Sequence, residues 1–462
     1  MNMSSSATIN TKFKIQPKPF VPAKGPMSKI ARNLVHKQLA SLHTGCLQIE
    51  ENGEVFTFGQ NQLDVESDVE SDIESGVKNE AGLVARLIVH DMGCYSEIMT
   101  GGSIGAAESF MTGDWSSPDL TMLVRVMVRN LDILDQMEGG LALISKPFLK
   151  LFHYFNQNSA KGSRRNIAAH YDLGNDLFEL FLDPTMMYSS GIFPQVNEDQ
   201  SIDKEDPSIE KEAASMEQAS INKLNIICEK LQLTASDHVV EIGTGWGGFA
   251  IHAAKNYGCR VTTTTISQEQ FNLAKQRIKQ EGLEDKITLL LEDYRDLRKT
   301  YEGQFDKLVS IEMIEAVGWK FYNTFFEHCG SLLKPQGIAL IQAITITDQR
   351  YDQARKNVDF IQRYIFPGSC IPSITALITA STKASDLNLV QAQDFGLHYA
   401  RTLKCWQETF NHKSEQVSAL GYSDDFKRMW QFYLSYCEGG FAERTIGVNH
   451  LVFAKPRAKI NY

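Results

Sequence analysis

The sequence lacks several features that would assign it to large classes of protein. None of its eight cysteines forms a C-x-x-C pair, so zinc and thioredoxin-like sites are not indicated, and we expect no bound metal. No apolar run approaches the ~20 residues of a membrane-spanning helix. The N-terminus is polar, unlike a secretory signal. A net charge of −10 argues against nucleic acid as a partner. These absences predict a cytoplasmic protein with reduced thiols.

The composition is that of a globular protein, with 43% hydrophobic residues in a chain of 462. We divide it into a disordered basic arm (1–44), an accessory domain (45–135), a basic linker or helix (136–165) and a catalytic domain (166–462). Every charged residue before Glu50 is basic, so the arm is either a solvated tail or a segment drawn to anionic lipid.

The accessory domain is predicted to be a small α+β unit. An alternating run from Cys46 to Phe58 with a turn at Asn52 indicates a hairpin. A second strand is predicted over Leu83–His90 and a helix over Leu120–Leu134. The acidic tetrapeptide repeat at 64–75 indicates a surface loop. The basic, aromatic stretch Lys146–Arg165 suits either a membrane interface or an ordinary interdomain helix.

From residue 166 onward the pattern changes to alternating strands and helices. Helices are predicted over Gly248–Tyr257 and Gln268–Gln280. Alternation of this kind predicts a parallel sheet with helices on both faces. The predicted strands are Val239–Ile242, Arg260–Ile266, Ile287–Leu291, Lys307–Ile311 and Ile338–Ile344.

A glycine-rich turn follows the first of these strands. Gly243, Gly245 and Gly248 satisfy the dinucleotide spacing G-x-G-x-x-G. That interpretation also requires an acid at the end of the second strand, where this sequence has only Thr and Ser. An acid instead precedes the turn, at Glu241. This placement resembles the first motif of S-adenosylmethionine-dependent methyltransferases, and it favours that cofactor over NAD and over a purely structural turn.

With its flanking segments, the chain from 166 onward resembles the cyclopropane-fatty-acyl-phospholipid synthase family, which includes the mycolic acid cyclopropane synthases. The resemblance implies a Rossmann-like class I methyltransferase sheet with flanking helices. The matching segments occur in family order: His170–Phe178, Leu182–Ser190, Val240–Gly248, Thr265–Gln270, Glu312–Gly318, Phe360–Gly368, Asp394–Gly396, Tyr399–Thr402 and Tyr433–Phe441.

The resemblance also implies a reaction and its partners. A cis double bond of a phospholipid acyl chain attacks the methyl of S-adenosylmethionine, and the carbocation then loses a proton to close a cyclopropane. A bound bicarbonate is the implied base. The enzyme is expected to be a homodimer, peripheral to an anionic membrane surface at the inner face of the cytoplasmic membrane. Loss of a different proton would instead give a methyl-branched or exo-methylene chain, and a non-catalytic binding protein is the remaining alternative.

The resemblance assigns the cofactor site residue by residue. Glu241 stands where most members have Asp, Thr265 and Gln270 match the ribose-side pair, and Asp293 and Tyr294 lie where adenine is held. The remaining cofactor residues are Tyr188, Ser189, Gly243, Gly245 and Gly247.

The bicarbonate constellation matches in part. Glu315, Tyr399 and the backbone of Ile344 agree with the family pattern, whereas Ser190 replaces Cys and Gln342 replaces His. An amide orients an anion but cannot carry a proton near neutral pH. Cys437 matches the cysteine marked as the family's active site, although the chemistry needs no thiol nucleophile. Glu312, one turn before Glu315, is interpreted as a solvated or ion-paired neighbour.

Overall fold

The structure of the protein is a computed structural model. It describes residues 20–22, 26–60, 82–139, 173–194 and 215–460. The acidic repeat at 64–75, the basic stretch at 146–165 and His170 lie outside the described residues.

The described residues pack into two compact units. The first holds residues 26–60, 82–139 and 404–436, and the second holds 173–194, 215–403 and 437–460. The sequence-based division took 166–462 as one domain. A unit assembled from separate segments is not visible to an analysis that runs along the chain.

The first unit contains a four-stranded sheet in the order β2-β1-β3-β4. β1 pairs antiparallel with β2 and parallel with β3. The predicted hairpin is confirmed, and its turn has positive φ at Asn52 (48°) and Gly53 (85°), as a tight hairpin requires. The strands are β1 Cys46–Glu51, β2 Glu54–Gly59, β3 Val84–Val89 and β4 Trp115–Ser116, and the helices before the second unit are Pro26–Leu39, Cys94–Met111, Leu120–Val128 and Leu131–Gly139.

Two expectations for this unit were wrong. The predicted arm contains the helix Pro26–Leu39, which buries Ala31, Val35 and Leu39 in the core. The predicted helix Leu120–Leu134 is two helices. They separate at Asn130, whose buried side chain accepts from the backbone N–H of His43 and Thr44 and donates to the carbonyl of Thr44. An asparagine engaged in this way competes with the helical hydrogen bonds.

The second unit contains a seven-stranded sheet in the order β10-β11-β9-β8-β5-β6-β7. β5 to β9 are parallel, and β11 is antiparallel to both of its neighbours. The five predicted strands and both predicted helices are confirmed, whereas β10 and β11 were not predicted. The strands are β5 His238–Ile242, β6 Arg260–Thr265, β7 Ile287–Leu291, β8 Phe305–Ile311, β9 Leu333–Ile346, β10 Asn388–Asp394 and β11 Ile446–Ala454.

Helices flank this sheet and connect its strands. None of the helices in the described part of the chain is long and apolar enough to cross a membrane. The helices of the second unit are Asn175–Phe181, Met216–Lys230, Gly248–Asn256, Gln268–Gln280, Arg298–Tyr301, Ile314–Val317, Trp319–Phe321 (3₁₀), Tyr322–Leu332, Asp348–Ala354, Ile361–Ile365 (π) and Ile374–Ala384. Ser414–Ala419 belongs to the first unit, and Gly396–His412 and Asp424–Ala442 have residues in both units.

The strand order reverses between β5 and β8. The chain proceeds from β5 through β6 to β7 on one side, then returns to build β8 and β9 on the other. In open sheets of this kind ligands bind at the carboxyl ends of the strands beside such a switch point. The glycine turn follows β5, and Glu312 follows β8. A Cβ added at Gly243 would lie 3.1 Å from Met313 Cγ, so the two loops are in contact.

The first unit contains a buried carboxylate, that of Glu51, at the end of β1. Glu51 accepts hydrogen bonds from Arg32 Nε (2.6 Å), from Tyr95 Oη and from His36 Nε2 (3.0 Å). Burial raises the pKa of Glu51, but the hydrogen bonds from His36, Tyr95 and Arg32 outweigh it, and the net pKa is lowered.

We expect Glu51→Gln to lower the free energy of unfolding by about 1–3 kcal/mol, because it leaves the Arg32 guanidinium without its charged partner. Urea denaturation followed by circular dichroism measures the change. Glu54→Gln, on the exposed strand β2, is the matched control and should be close to neutral. Equal stability of the two variants would contradict this role for Glu51.

Candidate active site

The glycine turn after β5 adopts conformations that few other residues adopt. Gly243, Gly245 and Gly247 have φ of +100°, +52° and +87°. A Cβ added at Gly245 meets nothing within 4 Å, so its backbone borders open space in which a ligand can approach. The residues of the turn therefore fit a bound cofactor.

A threonine network holds this turn against the sheet. Glu241 Oε2 accepts from Thr263 Oγ1 (2.6 Å), which also contacts Thr244 Oγ1 (2.7 Å). Burial raises the pKa of Glu241 to about 8, partly offset by Thr263 and by Lys223. The predicted acid at position 241 is therefore connected through Thr263 to Thr244, a residue of the glycine turn.

The residues predicted on the ribose side lie together after β6. Thr265 Oγ1 donates to Gln270 Oε1 (2.9 Å) and accepts from Ser267 N (3.1 Å). Asp293, after β7, is held by Arg295 through Nε (2.8 Å) and Nη2 (2.5 Å). The ring of Tyr294 packs against Phe325 and His328, so its side chain belongs to the core.

A fully buried lysine supports the segment that carries Tyr188 and Ser189. Lys223 Nζ donates to Ser189 Oγ (2.8 Å). The ring of Tyr188 packs edge-on against Phe178. Burial lowers the pKa of Lys223 to about 8, while the charges of Glu312, Asp183 and Glu241 oppose this shift. Lys223 therefore lies close enough to Glu312 and Glu241 for their charges to interact.

The centre of the site is Glu312, which sequence analysis interpreted as a solvated or ion-paired neighbour of Glu315. Three donors of the protein hold its carboxylate, so the solvated alternative was wrong. Glu312 Oε2 accepts from Tyr399 Oη (2.6 Å), and Oε1 accepts from Gln342 Nε2 (2.8 Å) and from Ser190 N (3.0 Å). Burial raises its pKa despite these three hydrogen bonds. The carboxylate is held by donors from three separate segments of the chain.

A chain of hydrogen bonds behind Gln342 fixes the direction of its amide. Lys230 Nζ lies 3.2 Å from His450 Nδ1, and His450 Nε2 lies 2.9 Å from Gln342 Oε1. The ammonium can only donate, so Nδ1 accepts and the proton lies on Nε2. His450 therefore donates to the Gln342 carbonyl. The amide nitrogen is consequently directed at Glu312.

Glu315 lies beside this cluster and differs from Glu312 in its partners. Its Oε1 accepts from the backbone N–H of Ile344 (2.5 Å). Its Oε2 is buried and has no hydrogen-bond partner within the described residues. Burial, and then the charge of Glu312, raise the pKa of Glu315 to about 8. With this pKa, Glu315 is protonated near neutral pH.

Ser190 contacts Glu312 through its backbone and not through its hydroxyl, and Cys437 agrees with the expectation that the chemistry needs no thiol nucleophile. The Ser190 hydroxyl donates to the Gly191 carbonyl (2.9 Å), and the backbone N–H of Ser190 reaches Glu312. Burial raises the pKa of the Cys437 thiol, whereas a nucleophilic cysteine needs a lowered one. The ring of Tyr399 stacks on Phe441 with centroids 4.3 Å apart.

Sequence analysis missed Glu312, Lys223 and His450. Glu312 has φ of +49°, which is unusual for a residue with a side chain and is found at functional sites. No sequence pattern separates it from Glu315. His450 pairs with Gln342 across β11 and β9, and the apolar run that follows it at Leu451–Ala454 was the available signal for that strand.

The fold and the glycine turn define a class I methyltransferase that uses S-adenosylmethionine. The model of the mycolic acid cyclopropane synthetase family matches residues 158–451. The chain therefore belongs to this family, and the resemblance found in its sequence is confirmed. Proteins of this kind modify lipid acyl chains with S-adenosylmethionine, and that much applies to this enzyme.

Two curated relatives cover most of the chain. Tuberculostearic acid methyltransferase UfaA1 of Mycobacterium tuberculosis is 37% identical over 74% of this chain and 76% of its own length. The cyclopropane-fatty-acyl-phospholipid synthase of Escherichia coli K12 is 36% identical over 78% of this chain and 85% of its own.

Two solved structures agree with the fold. The cyclopropane synthase MmaA2 from Mycobacterium tuberculosis superimposes with a TM-score of 0.55 at 28% identity, covering 63% of this chain and 98% of that one. The mycolic acid cyclopropane synthase CmaA1, solved with SAH and CTAB, gives 0.54 at 27% identity with the same coverage.

The residues around Glu312 do not fit the predicted bicarbonate. Tyr399, Gln342 and Ser190, which the resemblance places around that anion, donate to the Glu312 carboxylate instead. The Ile344 N–H is engaged by Glu315. A second anion would lack these donors and would lie against a negative charge. We derive no step through bicarbonate.

We expect the buried proton of Glu315 to make stability depend on pH. Its folded pKa of about 8 lies above the ordinary value of 4.5, so between these values the folded state keeps a proton that the unfolded state releases. Raising the pH through this window therefore lowers the free energy of unfolding. Glu315→Gln removes this term, and the variant should gain stability relative to the wild type, of the order of 2–4 kcal/mol, from about pH 5 to about pH 8.5.

Denaturant midpoints across this pH range measure the effect. Glu284→Gln, at an exposed position, should follow the wild-type curve. A stability difference between Glu315→Gln and the wild type that does not change with pH would contradict the buried proton.

Proposed function

We propose that this enzyme transfers a methyl group from S-adenosylmethionine to the cis double bond of phospholipid acyl chains and closes a cyclopropane ring. The observation that carries the proposal is that the segment from Glu312 to Glu315 contacts the glycine turn through Met313, at the switch point of the sheet. Similarity to the cyclopropane-fatty-acyl-phospholipid synthase over most of both chains supports the choice of phospholipid.

The chemistry requires three things of the protein. The glycine turn, with Thr265 and Gln270, would hold S-adenosylmethionine so that its methyl faces the double bond. The alkene electron pair forms the new C–C bond, S-adenosylhomocysteine departs, and a carbocation remains on the chain. The site must then exclude water, which would trap the cation, and provide a base for the last proton. A single ionised carboxyl also balances the cation electrostatically.

A second ending of the same reaction is favoured by one observation. Gln342, whose amide is directed by His450, does not titrate near neutral pH, so it cannot accept the proton as a histidine at that position could. The named activities of the two curated relatives also differ, one being a methyltransferase and the other a cyclopropane synthase. Loss of a chain proton instead of a methyl proton would leave a methyl-branched alkene. A 1,2-hydride shift onto the cationic carbon, followed by loss of a methyl proton, would leave an exo-methylene group.

The proposal includes a location and an assembly. The enzyme would lie at the anionic inner face of the cytoplasmic membrane because its substrate is a membrane lipid. The family resemblance is the reason for expecting a homodimer. The basic residues of 1–44 and 146–165 support attraction to such a surface. Binding to anionic vesicles that weakens as salt is added would support this part of the proposal.

The product identifies the function. The full chain is expressed in a bacterial host that makes unsaturated phospholipids but has no cyclopropane synthase, and its acyl chains are analysed by mass spectrometry and proton NMR. We expect acyl chains heavier by one CH₂ group with upfield ring protons. Vinyl or branched-methyl protons would establish the second ending. Unchanged lipids would refute the proposal.

The chain offers a matched pair of variants for this experiment. Gly245 and Gly282 both have positive φ and open space at Cβ, but only Gly245 lies in the glycine turn. Alanine at each position imposes a similar backbone strain of about 1 kcal/mol. We expect Gly245→Ala to lower the affinity for S-adenosylmethionine, measured by calorimetry, by about tenfold or more and to reduce product, whereas Gly282→Ala retains both.

A further inference from the structure

We infer that the Glu312 carboxylate is itself the base that removes the last proton, so that this enzyme works without bicarbonate. The inference rests on the proposed function and names the group that completes its reaction. It begins from the three hydrogen bonds that hold this carboxylate.

The donors on Glu312 form a complete anion site. A phenol, an amide N–H and a backbone N–H converge on one carboxylate at 2.6–3.0 Å, from Tyr399, Gln342 and Ser190. The resemblance assigns these same three positions to a bound bicarbonate. The oxygens of Glu312 therefore take the position of the diffusible anion. A carboxylate has the same planar pair of oxygens and can accept a proton in the same way.

The surrounding groups favour a carboxylate at this position over a neutral acid. The chain from Lys230 through His450 turns the Gln342 nitrogen, a donor, toward Glu312. The backbone N–H of Glu312 also donates to the backbone carbonyl of Gln342 (2.8 Å), and this bond fixes the main chain at Glu312. The Gln342 amide nitrogen and the Ser190 N–H can only donate, so a protonated Glu312 would have only the Tyr399 hydroxyl as an acceptor. The buried ammonium of Lys223 adds a compensating positive charge.

Glu312 also differs from Glu315 in its access. Glu312 keeps part of its surface accessible, whereas Glu315 is buried with one oxygen engaged by the backbone. The left-handed backbone at Glu312 turns its side chain into the space between Ser190, β9 and Tyr399. A residue held at such φ costs about 1–3 kcal/mol, and a functional requirement explains why a side chain is present there.

The proton transfer balances without a further reactant. The C–H bond of the new methyl group breaks, and its electron pair closes the C–C bond of the ring onto the cationic carbon. The proton passes to a Glu312 oxygen. The neutral acid then releases it to solvent before the next turnover. In the second ending the same carboxylate takes a chain proton, and the pair forms a C=C bond.

The test compares wild type, Glu312→Gln and Glu312→Gly in buffer freed of carbon dioxide and in buffer with added bicarbonate. The readout is S-adenosylhomocysteine release on vesicles of unsaturated phospholipid. We expect wild-type turnover to be the same in both buffers, within about twofold. Glu312→Gln, which fills the space without a base, should lose at least about 100-fold in kcat in both. Glu312→Gly suits the positive φ and vacates the space, so we expect its activity to be lost and then restored by bicarbonate.

Controls separate loss of the base from loss of the fold. Affinity for S-adenosylhomocysteine should be unchanged in both variants, and Glu284→Gln, at an exposed position, should retain wild-type turnover. Carbon-13 NMR of labelled bicarbonate provides a readout that needs no substrate. Binding to the S-adenosylhomocysteine complex of Glu312→Gly, but not of wild type, is expected.

The outcomes that overturn the inference are distinct from those that refute the proposed function. Wild-type turnover that requires bicarbonate, wild-type binding of labelled bicarbonate, or Glu312→Gln turnover at the wild-type rate would each overturn it. Absence of any wild-type product refutes the proposed function instead. In that case the bicarbonate spectra still decide whether Glu312 occupies the anion position.

Discussion

The site is organised by one requirement, which is that an ionised carboxylate in a poorly solvated space must be surrounded by hydrogen-bond donors. Glu312 satisfies it with groups from the segment at Ser190, from β9 and from the helix Gly396–His412. These segments are far apart in sequence, and all three meet at the side chain of Glu312. Loss of any one donor would leave the other two positioned around a weaker acceptor.

The charges around Glu312 are arranged so that few of them remain uncompensated. Lys223 is fully buried and donates to Ser189, close to both Glu312 and Glu241. Glu315 has a raised pKa, which removes one negative charge near neutral pH. Burying an isolated ion is costly, so these adjustments lower the cost of keeping Glu312 ionised.

The sequence predicted those parts of the fold that depend on local patterns. The runs of β-branched residues that became β5 to β8, and the glycines after β5, carry their signal within a few residues. β10 and β11 were missed because they lie at the antiparallel edge, where pairing depends on residues far away in the chain. The helix Pro26–Leu39 was missed because Gly and Pro around it outweighed the apolar spacing of Ala31, Val35 and Leu39.

The candidate site was predictable only where a residue's role follows from its own position in a motif. Thr265 and Gln270 are five residues apart and form the hydrogen bond that their pairing implies. His450 and Gln342 are 108 residues apart, and their contact exists only once β11 pairs with β9. Glu312 and Glu315 have the same side chain and are neighbours in sequence. Their roles differ because the left-handed backbone directs one toward three donors, and no residue pattern specifies that turn.

The proposed side-chain base restricts where a proton can be accepted, whereas a diffusible anion would not. A free anion can settle wherever the developing charge on the substrate attracts it. Glu312 is held at fixed distances from Tyr399 and Gln342, so its oxygens can accept a proton only from carbons that come within reach of that one place. Under the proposed function, the position of the acyl chain relative to this carboxylate would decide whether a methyl proton or a chain proton leaves. Product identity would then depend on substrate placement more than on basicity.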